Sequence, residues 1–410
     1  MLPFKSIITS FLLITLVLIT NAIGQHLQNV TGTVIDIKSG DPLQGVNVFL
    51  ANTMKGDATD AAGNFNIKNV PTGQFEIVVS MIGYDVYSRL IRVTIPMGKT
   101  FLFKLRPRVL QGETIIVNAD EQKEWRKNLK IFEKRLLGTT ENASKTKIEN
   151  PFIIDLKNNE RGELAASATE PLIIINKGLG YKIEYILRYF SAKGRHTKYA
   201  GNPKFTSLKP ESDKQEQQWR KRRKKAYQGS TRHFFTELIS AAKRIQALRG
   251  PELEKQYKKY KIKKNRNKNP RHTLQMLLTR DYLKKAGFQI SFPNDSKTTS
   301  VDFRAKDMPV NSALLFSPSA NDDELWLKLN RPLNIRFNRE REDPTYLEDT
   351  DIIHRWTGPQ GSIIEIEADS VLVEKKGRYW DNFQLHTHGY MAWERLAESL
   401  PYEYEPDEVN

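Results

Sequence analysis

The sequence predicts an all-β sandwich in its N-terminal part and an α+β region with a basic helical segment after it. Three observations carry this reading. From Asn29 to Ala119 apolar residues recur with a period of two, between turns built from Gly, Pro, Asp and Asn. After Asp120 the period changes to that of a helix, and it does so again from about Glu211 to Gly287. Alternation returns in "ELWLKLNRPLNIRF" and "SIIEIEADSVLVEKKG". Strands, then helices, then strands point to α+β rather than to a parallel α/β sheet.

The first residues, "MLPFKSIITSFLLITLVLITNAIGQ", place one cation, Lys5, before an apolar run and the small-x-small triplet Ala22-Ile23-Gly24. That order is expected of a secretory signal peptide over 1–24, cleaved after Gly24. The rival reading is an uncleaved anchor, but Thr, Ser and Asn interrupt the run. No later segment is apolar for long enough to span a bilayer. The sequence contains no cysteine, so neither disulfides nor a lipoprotein anchor are available. About 385 residues would remain, enough for two or three domains of ~100–200 residues. They divide at about residue 120, into 25–120 and 121–410.

In "GNFNIKNV" Phe65 and Ile67 form the apolar side, opposite Asn64, Asn66 and Lys68. In "QFEIVVSMIGY" Phe75, Ile77, Val79 and Met81 alternate with Gln74, Glu76 and Ser80. One face is thus bound for a core and the other for water, as in paired antiparallel sheets. "SGDP", "DAAGN", "PTG" and "PMGK" supply the turns. "MGKT", Met97–Thr100, echoes a phosphate-binding loop, but Val93 stands where that loop needs glycine, and the residues read as a hairpin turn.

Gly32-Thr33-Val34, Pro42-Leu43, Gly45-Val46, Thr59-Asp60, Gly63, Phe65, Pro71, Gly73 and Gly83-Tyr84 occur in an order that resembles the carboxypeptidase-regulatory-like domain of Bacteroidetes envelope proteins. The resemblance covers roughly a quarter of the chain. It implies a transthyretin-like β-sandwich of about seven strands, used for folding, docking or display. It does not imply a peptidase. No histidine of this chain has Glu at the third following position, and H-E-x-x-H is absent, so the open zinc site of a carboxypeptidase has no ligands here. No Gly-x-Ser-x-Gly elbow occurs either. "GETIIVNAD" resembles the segment leading into the plugs of TonB-dependent receptors, but the chain is too short and too basic for their barrel.

In "EQKEWRKNLKIFEKRLLG" Trp125, Leu129, Phe132 and Leu136 have helical spacing and Gly138 ends the run. "NPFIIDLKNNERGELAASATEPLIIINKGLGYKIEYILRYF" turns to strands. The helical stretch from Glu211 to Gly287 breaks at Gly229, Gly250 and Pro270. Ser230 is positioned as an N-cap, ahead of an apolar face of Phe234, Leu238, Ala241 and Ile245. "GYMAWERLAESLPYEY" reads as a short amphipathic helix. Three blocks of this region, "FIIDLKNNERGELAASATEPLIIINKGLGYKIEYILRYF", "WRKRRKKAYQGSTRHFF" and "HGYMAWERLAESLPYEY", resemble a Bacteroidetes family that joins the regulatory-like domain to such a region. That resemblance implies no activity.

Charge is local. Between Lys214 and Arg271 stand 20 Lys and Arg against 4 Glu, which equals the whole net charge of +16. Arg220, Lys221, Arg222, Arg223, Lys224 and Lys225 form its densest run and are the candidate polyanion-binding residues. Export argues against nucleic acid, leaving phosphorylated lipopolysaccharide or anionic lipid, or an outer-membrane protein, as partner. The plainer reading is a solvated helix face. The acidic tail, with Glu403, Glu405, Asp407 and Glu408, is solvated or folds back on the basic segment. His386 and His388, two apart in "QLHTHGY", make half a metal site if on a strand, and otherwise a partly buried pair. No cofactor is expected. The reading is a non-catalytic envelope protein of the periplasm or outer-membrane periphery, and the alternative is an envelope hydrolase with its site in 121–410.

Overall fold

A computed structural model describes residues 27–108, 119–262, 270–291, 314–319, 323–350, 356–379 and 384–406. The signal-like stretch, most of "GETIIVNAD", Asp407 and Glu408 lie outside these residues. The chain divides into two compact units, one of residues 1–51 and 55–110, the other of 52–54 and 111–410.

The first unit contains β1 (Leu27–Asp36), β2 (Asn47–Leu50), β3 (Gly56–Ala58), β4 (Asn64–Pro71), β5 (Gly73–Ser80), β6 (Tyr87–Val93) and β7 (Phe101–Leu105). They form two sheets, β4-β1-β7 and β3-β2-β5-β6. Only β1 and β7 run parallel among these pairs, with Gly32 opposite Phe101. The predicted alternation holds through Val79, because Phe65, Ile67, Phe75, Ile77 and Val79 are buried with Val30, Val34 and Phe103. Beyond it Ser80, expected on the water side, is buried, and Met81, expected in the core, is only half-buried.

The turn residues have specific tasks. Buried Thr59 donates its hydroxyl to Leu43 O at 2.5 Å and accepts from Val46 N at 2.9 Å, joining two segments far apart in sequence. Asp60 Oδ1 accepts from Ala62 N and Asn64 N, closing the turn into β4. Gly63 has φ +73°, and a Cβ there would stand 2.5 Å from Val34 O, so the position needs glycine. Met97–Thr100 differs from the expected hairpin turn. It connects β6 in one sheet to β7 in the other, so it is a crossover between layers.

The second unit begins with α1 (Ala119–Leu137), which ends at Gly138 as its sequence predicts. Phe132 and Leu136 are buried, and Trp125 Nε1 donates to Ile154 O at 3.0 Å. A six-stranded antiparallel sheet follows from β8 (Thr146–Ile148), β9 (Ile154–Asn158), β10 (Leu164–Ala168), β11 (Leu172–Asn176), β12 (Tyr181–Lys193) and β13 (His196–Ser207). Its order is β8-β11-β12-β10-β9, with β13 along β12. Ile148, Leu172, Ile174, Ile183, Phe190 and Phe205 join α1 in one core.

Four helices come next: α2 (Asp213–Tyr227), α3 (Thr231–Ala247), α4 (Gly250–Lys259) and α5 (Pro270–Ala286). Ser230 caps α3 by accepting from His233 N, and Phe234, Leu238, Ala241 and Ile245 are buried. The chain continues through β14 (Phe288–Ser291), β15 (Leu314–Pro318), β16 (Glu324–Leu329), β17 (Leu333–Arg341), α6 (Pro344–Asp349), β18 (Pro359–Ile366), β19 (Val371–Glu374), β20 (Leu385–Gly389) and α7 (Tyr390–Trp393). Two antiparallel sheets, β14-β17-β18-β20 and β15-β16-β19, share a second core with α3, including Phe234, Phe235, Phe288, Phe337 and Ile364. The α+β class follows from this mixture.

The last predicted helix is shorter than expected. α7 is a single turn, Glu394 is extended at ψ 112°, and only a 3-10 turn at Leu396–Glu398 follows. Met391 packs in the core of α3, whereas Leu396 packs in the core of α1. The extended residue Glu394 between the two turns carries the chain from one core to the other.

Candidate functional site: the cations of α2 and their surroundings

Ser212 Oγ accepts from Gln215 N at 3.3 Å and opens α2, with Asp213 and Glu216 in the first turn and Lys224 and Lys225 in the last. Those charges complement the helix dipole. Trp219, Ala226 and Tyr227 are buried and fix which side of the helix faces the protein. Trp219 Nε1 donates to Lys177 O at 2.8 Å. Its ring lies against Gly180, where a Cβ would come within 2.4 Å of the indole.

This anchorage splits the six predicted cations. Arg223 lies on the anchored side, four residues after Trp219. Its Nε donates to Leu179 O at 2.7 Å and its Nη2 to Gly180 O at 3.3 Å, while the guanidinium sits 4.2 Å from the Tyr181 ring centre. Burial lowers its pKa. Arg222 Nη2 pairs with Glu141 at 3.1 Å, and Arg220 Nη2 pairs with Glu216 at 2.8 Å. Arg220, Lys221 and Lys225 are exposed, and Lys224 is partly so. Six consecutive residues cover more than a full turn, so they make no single face.

A direct expectation follows for these cations. Arg223→Gln should lower stability by about 1–3 kcal/mol, because two carbonyls lose a charged donor. Lys221→Gln with Lys225→Gln should shift it by no more than ~0.5 kcal/mol each. Urea midpoints at constant slope measure both, and a silent Arg223→Gln would show that these hydrogen bonds contribute nothing.

Near Lys225 lies a group of half-buried carboxyls. Glu398 accepts from the Thr140 hydroxyl and from Asn142 Nδ2, the latter at 2.8 Å, and Gln360 Nε2 donates to Glu340 at 3.2 Å. Burial raises the pKa of Glu394 well above that of a free glutamate; the charges of Glu398 and Glu340 act in the same sense, and Lys225 opposes them. Burial also raises Glu398 and Glu340. Glu394 therefore keeps its proton to higher pH than an ordinary glutamate does.

His386 and His388 do stand on a strand, β20, which pairs with β18. Each meets its own carboxylate there: His386 Nε2 is 3.2 Å from Glu367 and His388 Nε2 is 3.7 Å from Glu365. Among the described residues no set of three His, Cys, Asp or Glu is placed to hold a metal ion. His233 is a buried histidine between the Tyr227, Phe288 and Phe337 rings, and its Nδ1 accepts from Gly229 N at 3.1 Å.

The C-terminal tail meets the basic segment through Arg232, which among the described residues takes the tail's carbonyls as its hydrogen-bond acceptors. Arg232 Nη1 donates to Pro401 O at 2.8 Å and Nη2 to Tyr402 O and Tyr404 O at 2.9 and 2.6 Å. Its Nε donates to Lys376 O at 3.1 Å. Arg378 lies 3.7 Å from the Tyr402 ring centre and pairs with Glu374 at 2.6 Å. Glu405 pairs with Lys376. "PYEY" announces none of this, since the clamp joins residues about 170 apart.

With this geometry in place, the comparison with protein families bears on the first unit. Residues 30–117 match the CarboxypepD_reg-like domain family. The motif residues Leu43, Val46, Thr59, Asp60 and Gly63 are the ones that tie its sheets and turns together. No curated protein matches the chain. Among solved structures, a cohesin–X-dockerin complex from Acetivibrio cellulolyticus aligns at 23% identity and TM-score 0.16, over 18% of this chain and 52% of that one. The chain thus spans about half the length of that structure. A DUF3823 family protein from Bacteroides ovatus aligns at 9% identity and TM-score 0.16, over 45% of this chain and 82% of that one. The Bacillus anthracis TIE protein aligns at 13% identity and TM-score 0.17, over 46% of this chain and 32% of that one. Alignments at so low a TM-score establish no shared fold.

Proposed function

We propose that this is an exported, non-catalytic protein of a Gram-negative envelope, in which the CarboxypepD_reg-like sandwich is a docking module beside a C-terminal binding region. The match of residues 30–117 carries the reading. The signal-like order of Lys5, an apolar run and Ala22-Ile23-Gly24 supports export. Among the described residues no helix is long and apolar enough to cross a membrane. The exposed cations of α2 (Arg220, Lys221 and Lys225) suit an envelope polyanion, lipopolysaccharide or anionic lipid, better than the full run of six does. An outer-membrane protein is the other partner class.

N-terminal sequencing of the protein from fractionated cells is expected to return Gln25, in a periplasmic or peripherally bound fraction. A sequence starting at Met1 in a detergent-only fraction, or recovery from the cytosol, would overturn the reading.

A second reading, an envelope hydrolase with its site in 121–410, rests on one observation. Burial raises the pKa of the Glu394 carboxyl, with the charges of Glu398 and Glu340 acting in the same sense, which is the direction of shift a general acid needs. Hydrolysis of an envelope polymer by the purified protein, abolished by Glu394→Gln in a folded variant, would establish it.

A further inference from the structure

α1 carries a second cationic surface, outside the 214–271 segment. Asn128, Phe132 and Leu136 are buried and fix one side of this helix against the protein. At about 100° per residue, Lys123, Arg126, Lys127, Lys130 and Lys134 fall within an arc of about 100° on the opposite side. No acidic residue lies inside that arc; Asp120 and Glu133 stand beyond its two edges. Lys134 is held by Asp349 at 2.9 Å. The other four are exposed and, with Gln122, line an open depression of about 370 Å³. Trp125 Nε1, bonded to Ile154 O, holds the helix in rotation, so the stripe cannot turn inward.

Stability does not require this arrangement. A helix that only needs solubility gains from acids interleaved with its cations, each i,i+4 pair adding a few tenths of a kcal/mol. Four like charges at i, i+3, i+4 and i+7 repel one another instead. A flat surface dense in negative phosphate compensates all four at once. A straight stripe of this length, about 10 Å from first to last residue, contacts several neighbouring headgroups.

From these observations we infer that the α1 stripe binds the phosphate headgroups of an anionic phospholipid bilayer. Cations at such a surface act nearly independently, each strengthening binding about fivefold, and the attraction falls within a Debye length as salt rises. The surface is separate from the docking role of the sandwich and does not depend on export, because it is tested with purified protein.

The test is co-flotation of the purified protein with vesicles of phosphatidylcholine containing about 30% phosphatidylglycerol, a composition that supplies the negative surface potential. Wild type is expected to bind at low salt, to be released as salt rises, and to ignore vesicles of phosphatidylcholine alone. Replacing Lys123, Arg126, Lys127 and Lys130 together by Gln should weaken binding by roughly 600-fold, about fivefold for each cation. Changing the exposed sandwich lysines Lys68 and Lys104 to Gln should leave vesicle binding within about twofold. All four stripe residues are exposed, so the thermal midpoint should hold within about 2 °C. If the quadruple variant does not fold, the pair Arg126→Gln and Lys130→Gln reads the same effect at roughly 25-fold. Equal binding to neutral vesicles, unchanged binding by the stripe variant, or an equal loss in the sandwich variant would each overturn the inference. Binding to lipopolysaccharide micelles but not to these vesicles would overturn it too, since the bilayer would then be the wrong occupant.

Discussion

Replacing Arg232 with Leu is expected to destabilise the second unit by about 3 kcal/mol and to release the C-terminal tail. The guanidinium donates to four carbonyls, of Lys376, Pro401, Tyr402 and Tyr404. It also lies near the Tyr227 and Tyr402 rings, at 5.8 and 5.9 Å from their centres. Leu fills part of the volume and leaves those carbonyls without their donor, which is the costly half of a lost hydrogen bond. Arg232→Lys should recover only part of the loss, because an ammonium is a point charge and cannot reproduce the planar fork. Denaturant midpoints measure the stability, and limited proteolysis after Tyr402 or Tyr404 reports the tail. An Arg232→Leu protein with a wild-type midpoint and a protected tail would show that Arg378, stacked on Tyr402, holds the tail unaided.

The second large effect belongs to His233. Burial, with the charge of Arg339 acting in the same sense, lowers its pKa from 6.5 to about 4. Between those values the unfolded chain binds the proton and the folded one does not, so stability falls as pH drops through this window and levels off below pH 4. The 2.5-unit gap corresponds to a loss of about 3 kcal/mol by pH 4. Glu394, Glu398 and Glu340, whose folded pKa values are raised, act with the opposite sign, since the folded state then holds the extra proton. The His233 part is therefore read as a difference between proteins. His233→Gln keeps a side-chain acceptor for Gly229 N and does not titrate. It is expected to cost about 1–2 kcal/mol at pH 7 through imperfect packing among Tyr227, Phe288 and Phe337. It should also remove the acid-side loss between pH 6.5 and 4. Parallel stability profiles for the two proteins over that range would show that His233 titrates normally.

Both effects arise from contacts that no local pattern announces. His233 falls one position before the apolar face of Phe234, Leu238, Ala241 and Ile245, and only the arrival of Phe288 and Phe337 encloses it. Arg232 stands in a stretch where every cation invites a solvent-facing reading. The stripe on α1 is legible in "KEWRKNLK" from its i, i+3, i+4, i+7 spacing, whereas its outward direction is set by the burial of Asn128, Phe132 and Leu136.

By itself the sequence determined the features that depend on neighbours along the chain. The two-residue period assigned the strands and inward faces of the sandwich, because alternate side chains must leave opposite faces of a strand. Ser230, Gly250 and Pro270 set helix limits, because caps and breakers act within one turn. Tertiary structure decided what depends on distant neighbours. Which of the six α2 cations turns inward was decided by the turn at Leu179–Gly180, against which Trp219 packs. Whether Met97–Thr100 makes a hairpin or a crossover was decided by the pairing of β7 with β1 instead of β6. The final segment is not one helix, because Glu394 is extended between Met391 in one core and Leu396 in the other. Its amphipathic pattern records that those residues are buried. Direction of burial is set by the partner surface, and a periodicity within one segment holds no record of where that surface lies.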